Sequence, residues 1–280
     1  MRSSSLALFG CALVVLVTAS GCRIEAHTQT QFEDSSHPAK TSVMDWTGQP
    51  ISIINDGVNP VTGDNGVEVT AAANTTKITV SAVFAAHADD DKKDDANASI
   101  ADALATLTID ESANGFNVHC GHGNSHGSSA AAGSGCKLLR VTIPAGTTAQ
   151  PLSLTVGSGN GDTKVGQGGD PLFVKTLQVS GNGAGDVTVR ATPVPDATLD
   201  IKGEFEVAVQ LPSDFSSKAV TLTVNEDDPM KAFARLHTEF PGLISGSPYP
   251  TTGATPTAIA SLTVNSTGLL ESSTLDITKF

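Results

Sequence analysis

In the second half of this chain a short apolar unit, Leu, any residue, then Val or Ile, recurs at nearly constant spacing. The copies are Leu154-Thr155-Val156, Leu177-Gln178-Val179, Leu199-Asp200-Ile201 and Leu222-Thr223-Val224, at intervals of 23, 22 and 23 residues. Alternation of this kind places the two apolar side chains on one face of a strand and the middle residue on the other. A second marker keeps step in the first two copies: a Gly-Asp turn and an alternating strand, at Gly161-Asp162 to Val165 and Gly185-Asp186 to Val189. One such unit buries too little apolar surface to stand alone, so neighbouring units must stack. The pattern predicts a mainly all-β fold with β-solenoid or β-helix-like repeats and two or more short strands per turn. A β-sandwich with evenly spaced strands is the alternative, since sandwiches place strands about every 8–12 residues.

Upstream, Ile51 to Ile54, Val67 to Val69 and Ile78 to Phe84 read as strands separated by Asp-Gly, Asn-Pro and Gly-Asp-Asn-Gly turns. The acidic stretch Asp89 to Asp95 leads into an alanine-rich run in which Ile100 and Leu104 stand four apart, which predicts one short helix near 94–105. Carboxylates at its start suit the positive end of the helix dipole. The aspartates lack the spaced ligands and terminal Glu of a calcium-binding EF-hand loop. Ser112-Ala113-Asn114-Gly115 predicts a hairpin turn, and Lys137 to Ile143 a strand stopped by Pro144-Ala145-Gly146. Beyond Val224 the period lapses. Met230 to Phe240 is expected to form a short helix, and Leu262-Thr263-Val264 and Leu275-Asp276-Ile277 to close the fold as strands.

The N-terminus has a different pattern: Arg2, an apolar run from Leu6 to Val17, and Ala19-Ser20-Gly21 before Cys22. This predicts a secretory signal over residues 1–21, its apolar run shorter than the roughly 20 residues of a membrane span. Ala-Ser-Gly-Cys is similar to a bacterial lipobox, with Ala19 where Leu is usual, so Cys22 is the expected lipidation site. Arg23 is not the Asp associated with inner-membrane retention, which points to a lipid-anchored protein of the cell envelope, at the outer membrane. Residues 22–50 are polar and weakly periodic and read as a tether, with Trp46 either packed on the first strand or exposed. Residues 51–280 form the expected β domain.

Composition narrows the partners. With 29 acidic against 16 basic residues the net charge is −13, so a nucleic-acid backbone would be repelled. The 27 glycines and 4% aromatic content fit many short turns rather than a helical bundle.

The helix after an N-terminal strand set, the strand Leu139-Arg140-Val141-Thr142-Ile143 running into Pro144-Ala145-Gly146, and the Gly161-Asp162 and Gly185-Asp186 strand repeats give the chain its family likeness. Over roughly residues 51–280 it resembles the bacterial putative-adhesin domain of unknown function. That resemblance implies an exported or membrane-attached protein with a β-solenoid-like domain and a role in adhesion.

Few residues point to chemistry. Gly123-Asn124-Ser125-His126-Gly127 matches the hydrolase pattern G-x-S-x-G, but no helix-length segment follows Ser125 as that strained turn requires. His119, Cys120, His122 and His126 form a composition that can hold zinc or copper, which makes the three histidines weak metal candidates. Pairing Cys120 with Cys136 is the preferred reading, because these are the only cysteines beyond Cys22 and an oxidising compartment joins them. Glu204 and Glu206 would share a strand face, as paired carboxylates do in carbohydrate-cleaving β-helices, but alternation with Phe205 and Val207 makes an ordinary solvent face. No phosphate-binding or dinucleotide fingerprint is present, and no cofactor is expected. The sequence therefore predicts a non-enzymatic envelope lipoprotein, an adhesin or scaffold, that meets the membrane through its lipid and binds a glycan or surface protein. The alternative is a carbohydrate-active β-helix enzyme.

Overall fold

The computed structural model describes residues 29–57, 66–89, 93–124, 134–159, 161–182, 185–224, 235–250, 259–266 and 273–280. The chain opens with β1 (Gln29–Asp34), β2 (Lys40–Thr41), β3 (Ile51–Asn55), β4 (Gly66–Ala72) and β5 (Thr79–Asp89). Helix α1 (Lys93–Ala105) follows, then the hairpin β6 (Thr108–Ser112) and β7 (Gly115–Cys120), and β8 (Ser134–Pro144). The repeat region holds β9 (Leu152–Ser158), β10 (Asp162–Val165), β11 (Phe173–Gly181), β12 (Val187–Arg190), β13 (Thr192–Gly203) and β14 (Glu206–Leu211). The last strands are β15 (Val220–Val224), β16 (Arg235–Thr238), β17 (Ser261–Ser266) and β18 (Thr274–Lys279).

These strands build two mixed sheets. Sheet I runs β15-β17-β13-β11-β9-β3-β7-β6, and sheet II runs β1-β5-β8-β4-β10-β12-β14-β18-β16 with β2 also on β5. The two orders match. Consecutive strands, one in each sheet, form rungs that stack as β7/β8, β3/β4, β9/β10, β11/β12, β13/β14, β17/β18 and β15/β16. Neighbours within this stack pair in parallel. Parallel pairing needs a connection of about a dozen residues or more, and the excursion through the opposite sheet supplies it. Among the described strands, antiparallel pairing is found at one end, where β6 joins β7 and β5 joins β1, β2 and β8.

The repeat spacing is the rung spacing. Leu177 lies beside Leu154 on one side and Leu199 on the other, and Val179 lies between Val156 and Ile201. All six are buried in a core that also takes Val165, Val187, Val189, Val207 and Val209 from sheet II. Each such side chain stabilises by about 1.5–3 kcal/mol on burial. The fourth copy breaks the sequence order. It is β17 that lies on β13, pairing Leu262 with Leu199, while β15 lies outside it with Leu222 beside Val264.

Several expectations need correction. Residues 29–50 are part of the domain, not a free tether. β1 pairs with β5, and Trp46 is buried in the core with its indole N–H donated to the Gln49 carbonyl at 2.6 Å. An ion pair from Lys137 of β8 reaches across β5 to Glu33 of β1 at 2.6 Å. That hydrogen bond holds the Glu33 carboxyl below its ordinary value. The helix expected over 230–240 is also absent from its described part, where Arg235–Thr238 is the strand β16. The strands expected at Leu262-Thr263-Val264 and Leu275-Asp276-Ile277 are present as β17 and β18, and both lie one place inside the edge of the stack.

The short helix falls where acidic residues predict it. Asp94 and Asp95 lie in its first turn, and Ala96, Ile100 and Ala103 form the buried face, which packs towards β5, β8 and β1. At the opposite end Phe215, Phe240 and Tyr249 pack with ring centroids 5.6–6.1 Å apart.

Candidate functional site

Where the chain turns from sheet I to sheet II, the last position of β3, β9, β11, β13 and β17 is small or polar. Asn55 lies beside Ser158, Ser158 beside Gly181, and Gly203 beside Ser266. Sterics explain this: a Cβ on Gly181 would stand 2.5 Å from Val187 Cγ2, and one on Gly203 2.7 Å from Val207 Cγ2. The polar members find partners, Asn55 donating to the Gly66 carbonyl at 2.9 Å and Ser266 to the Phe205 carbonyl at 2.6 Å. On the sheet II side an acidic ladder staples the rungs. Asp162 Oδ1 accepts from the Asp186 amide at 3.2 Å, and Asp186 Oδ1 accepts from the Glu206 amide at 3.4 Å. The repeated Gly-Asp marker is thus a structural device for holding rungs together.

The outward face of sheet I carries the middle residue of each repeat. Ser52, Thr155, Gln178, Asp200 and Thr263 stand side by side on adjacent strands. Ser180, Lys202 and Asn265 form the next column. A shallow groove of about 230 Å³ runs between Thr155, Gln178, Ser180, Asp200 and Lys202. The Lys202 ammonium lies 3.0 Å from Asp200 Oδ2, and the Thr155 hydroxyl donates to Gln178 Oε1 at 3.4 Å. Asp200 Oδ1 and Asn265 Oδ1 are enclosed and accept no hydrogen bond from described residues. The outward face of sheet II differs, being crossed by the ion pairs Arg140–Glu68 at 2.8 Å, Lys164–Asp162 at 3.1 Å and His237–Asp276 at 2.7 Å. The bond to Asp276 raises the His237 imidazole above its ordinary value.

The structure joins Cys120 to Cys136, with their Cα atoms 5.9 Å apart. Backbone bonds hold the same return, from the Cys136 amide to the Gly121 carbonyl at 3.1 Å and from Gly123 to Ser134 at 3.2 Å. Two of the neighbouring histidines turn to Asp56: His119 Nε2 meets its carboxylate at 3.0 Å, and His122 Nδ1 meets its carbonyl at 2.8 Å. His126 and Ser125 lie outside the described residues, as do Cys22 and the whole predicted signal. Among the described residues no three His, Cys, Asp or Glu side chains form a metal-binding group. Glu204 and Glu206 are not neighbours on one strand face, since Glu204 lies in the bend before β14 and only Glu206 belongs to the strand.

Two features are not evident in the sequence alone. One is the set of residues that the polar sheet I face brings together, since the middle residues of the Leu-x-Val units are placed side by side only by strand register. The other is a cleft of about 220 Å³ at the opposite turn of the rungs, lined by Phe173, Pro193, Pro195, Phe215 and Ile259. These residues are far apart in sequence, so no local pattern announces the cleft. Ser216 on its wall is buried and its hydroxyl has no partner among described residues.

No family model and no curated protein matches the chain. Among solved structures it is similar to one described as a putative cell adhesion protein from Clostridium sporogenes ATCC 15579, with 10% identity and a TM-score of 0.49. The likeness covers 87% of this chain and 99% of the other.

Proposed function

We propose that this chain is a non-enzymatic lipoprotein of the cell envelope that presents a β-solenoid for adhesion or envelope scaffolding. The observation that carries the reading is the matching strand order of the two sheets, with the same polar positions facing outward at successive rungs. Stacked rungs of this kind create long binding surfaces. The lipobox-like Ala19-Ser20-Gly21-Cys22 supports an anchor at acylated Cys22, and Arg23 supports the outer membrane. Lipid chains contribute about 0.8 kcal/mol per buried methylene, enough for several chains on one cysteine to hold the protein at a leaflet.

Two measurements test this reading. Mass spectrometry of protein taken from its own membrane is expected to find residues 1–21 removed and Cys22 acylated, and an unmodified Cys22 ends the anchoring proposal. Beads carrying the full-length protein are expected to capture cell-envelope fragments above an albumin control. Absence of capture, or polysaccharide turnover abolished by substitution of Glu204 or Glu206, overturns the binding role.

A further inference from the structure

We infer that the outward face of sheet I binds a neutral, extended, linear polysaccharide laid across the strands, one sugar residue to a rung; this rests on the adhesion reading above. Three observations carry it. First, adjacent rungs are separated by about 4.7–4.9 Å, the spacing of paired strands. That is close to the advance of one pyranose along an extended chain, so a glycan running along the stack meets an equivalent set of side chains at each step. Thr155, Gln178, Asp200 and Thr263 supply four such steps in unbroken register.

Second, the chemistry is that of polyol recognition. Hydroxyl, amide and carboxylate groups stand in the column, and Ser180, Lys202 and Asn265 beside it add donors and acceptors. Asp200 Oδ1 and Asn265 Oδ1, on neighbouring rungs, receive no hydrogen bond from described residues. An enclosed acceptor without a donor is unfavourable, so each side chain gains by turning onto a sugar hydroxyl above the groove.

Third, the charge suits a neutral ligand. In a chain of net charge −13, this part of the face carries one carboxylate and one ammonium, and they neutralise each other at 3.0 Å. An anionic polymer would meet no surplus of positive charge there, and a cationic one no surplus of negative charge.

The test is isothermal titration calorimetry of the full-length protein with cello-, xylo- and chito-oligosaccharides, each from disaccharide to hexasaccharide. At least one series is expected to bind, with affinity rising up to about four sugars and then levelling, and with little change on raising salt about tenfold. Gln178→Ala and Thr263→Ala are each expected to weaken binding about 2- to 10-fold, the net worth of a hydrogen bond, without moving the thermal midpoint. Thr188→Ala, on the outward face of sheet II, is expected to leave affinity unchanged. Binding that ignores Gln178→Ala and Thr263→Ala, that does not depend on length, or that collapses with salt overturns the inference. If none of the three series binds while beads still capture envelope fragments, the ligand class is wrong and the adhesion reading stands. If capture fails as well, both fall.

Discussion

Replacing Gly185 by Ala adds one methyl group where two rungs approach closely. Its Cβ would stand 2.0 Å from both the carbonyl carbon and oxygen of Gly161 and 2.6 Å from the Asp162 nitrogen, all backbone atoms that no rotamer change can move aside. Relief to ordinary contact requires the turns to separate by more than about 1 Å, since carbon contacts settle near 3.5–4.0 Å. That separation stretches the bond from the Thr163 amide to the Asp186 carbonyl, now 2.8 Å, and the bond from the Asp186 amide to Asp162, now 3.2 Å. Overpacking costs about 1–3 kcal/mol and each lost hydrogen bond about 1 kcal/mol, so the expected loss is roughly 3–5 kcal/mol. Gly168→Ala is the matched control. It has a φ of +68° but nothing within 4 Å of its Cβ, so only backbone strain of about 1–2 kcal/mol applies. Urea denaturation of both variants, followed by circular dichroism, reads the difference. If Gly185→Ala loses no more stability than Gly168→Ala, close approach of the turns does not govern this corner.

Leu177→Ala, at a fully buried position between Leu154 and Leu199, is expected to cost about 2–5 kcal/mol by the same assay, against under about 0.5 kcal/mol for a conservative change at exposed Gln178. The Cys120–Cys136 bridge closes a loop with a sequence separation of 16, so the double alanine variant is expected to lose about 3 kcal/mol, and thiol titration of the unreduced, unfolded protein should find neither cysteine free. His237 is expected to titrate above the ordinary imidazole value by NMR and to fall back in Asp276→Asn. Because its folded value is raised, the contribution of this pair to stability is fully present below the unfolded imidazole pKa, near 6.5, and disappears as pH rises through the folded value. A stability profile in which Asp276→Asn mattered more at alkaline than at mildly acidic pH would contradict that sign.

The inward repeat was legible because Leu154, Leu177 and Leu199 each face the same core and the rungs between them contain no insertion. Its continuation was not. Leu222-Thr223-Val224 and Leu262-Thr263-Val264 have the same pattern, and nothing local in either says which one lies against Leu199. The helix was readable from Asp94, Asp95 and the spacing of Ile100 and Leu104, whereas β1 was hidden because Gln29–Asp34 is a polar edge strand with one large apolar residue, Phe32. Residues 235–238 misled for a related reason: four residues at a sheet edge, with Leu236 left half exposed, carry too few apolar positions to distinguish periods of 2 and 3.6. Of the candidate sites, the disulfide followed from cysteine arithmetic. The groove did not, because it needs Thr155, Gln178 and Asp200 brought together by register.

The order of the rungs sets a timetable for the chain's synthesis. The first rung, β3/β4, lies between the second and third, and the last, β17/β18, lies between β13/β14 and β15/β16. A polypeptide emerging from its N-terminus therefore completes β15 and β16 before their permanent neighbours exist, and those two strands must stay unpaired, or pair provisionally, until β17 and β18 arrive. Contacts so distant along the chain raise its contact order and slow the acquisition of the native state. The β17/β18 rung acts as a keystone, inserted after its neighbours and bearing on both sides, so commitment of this end of the stack is deferred until that rung is available.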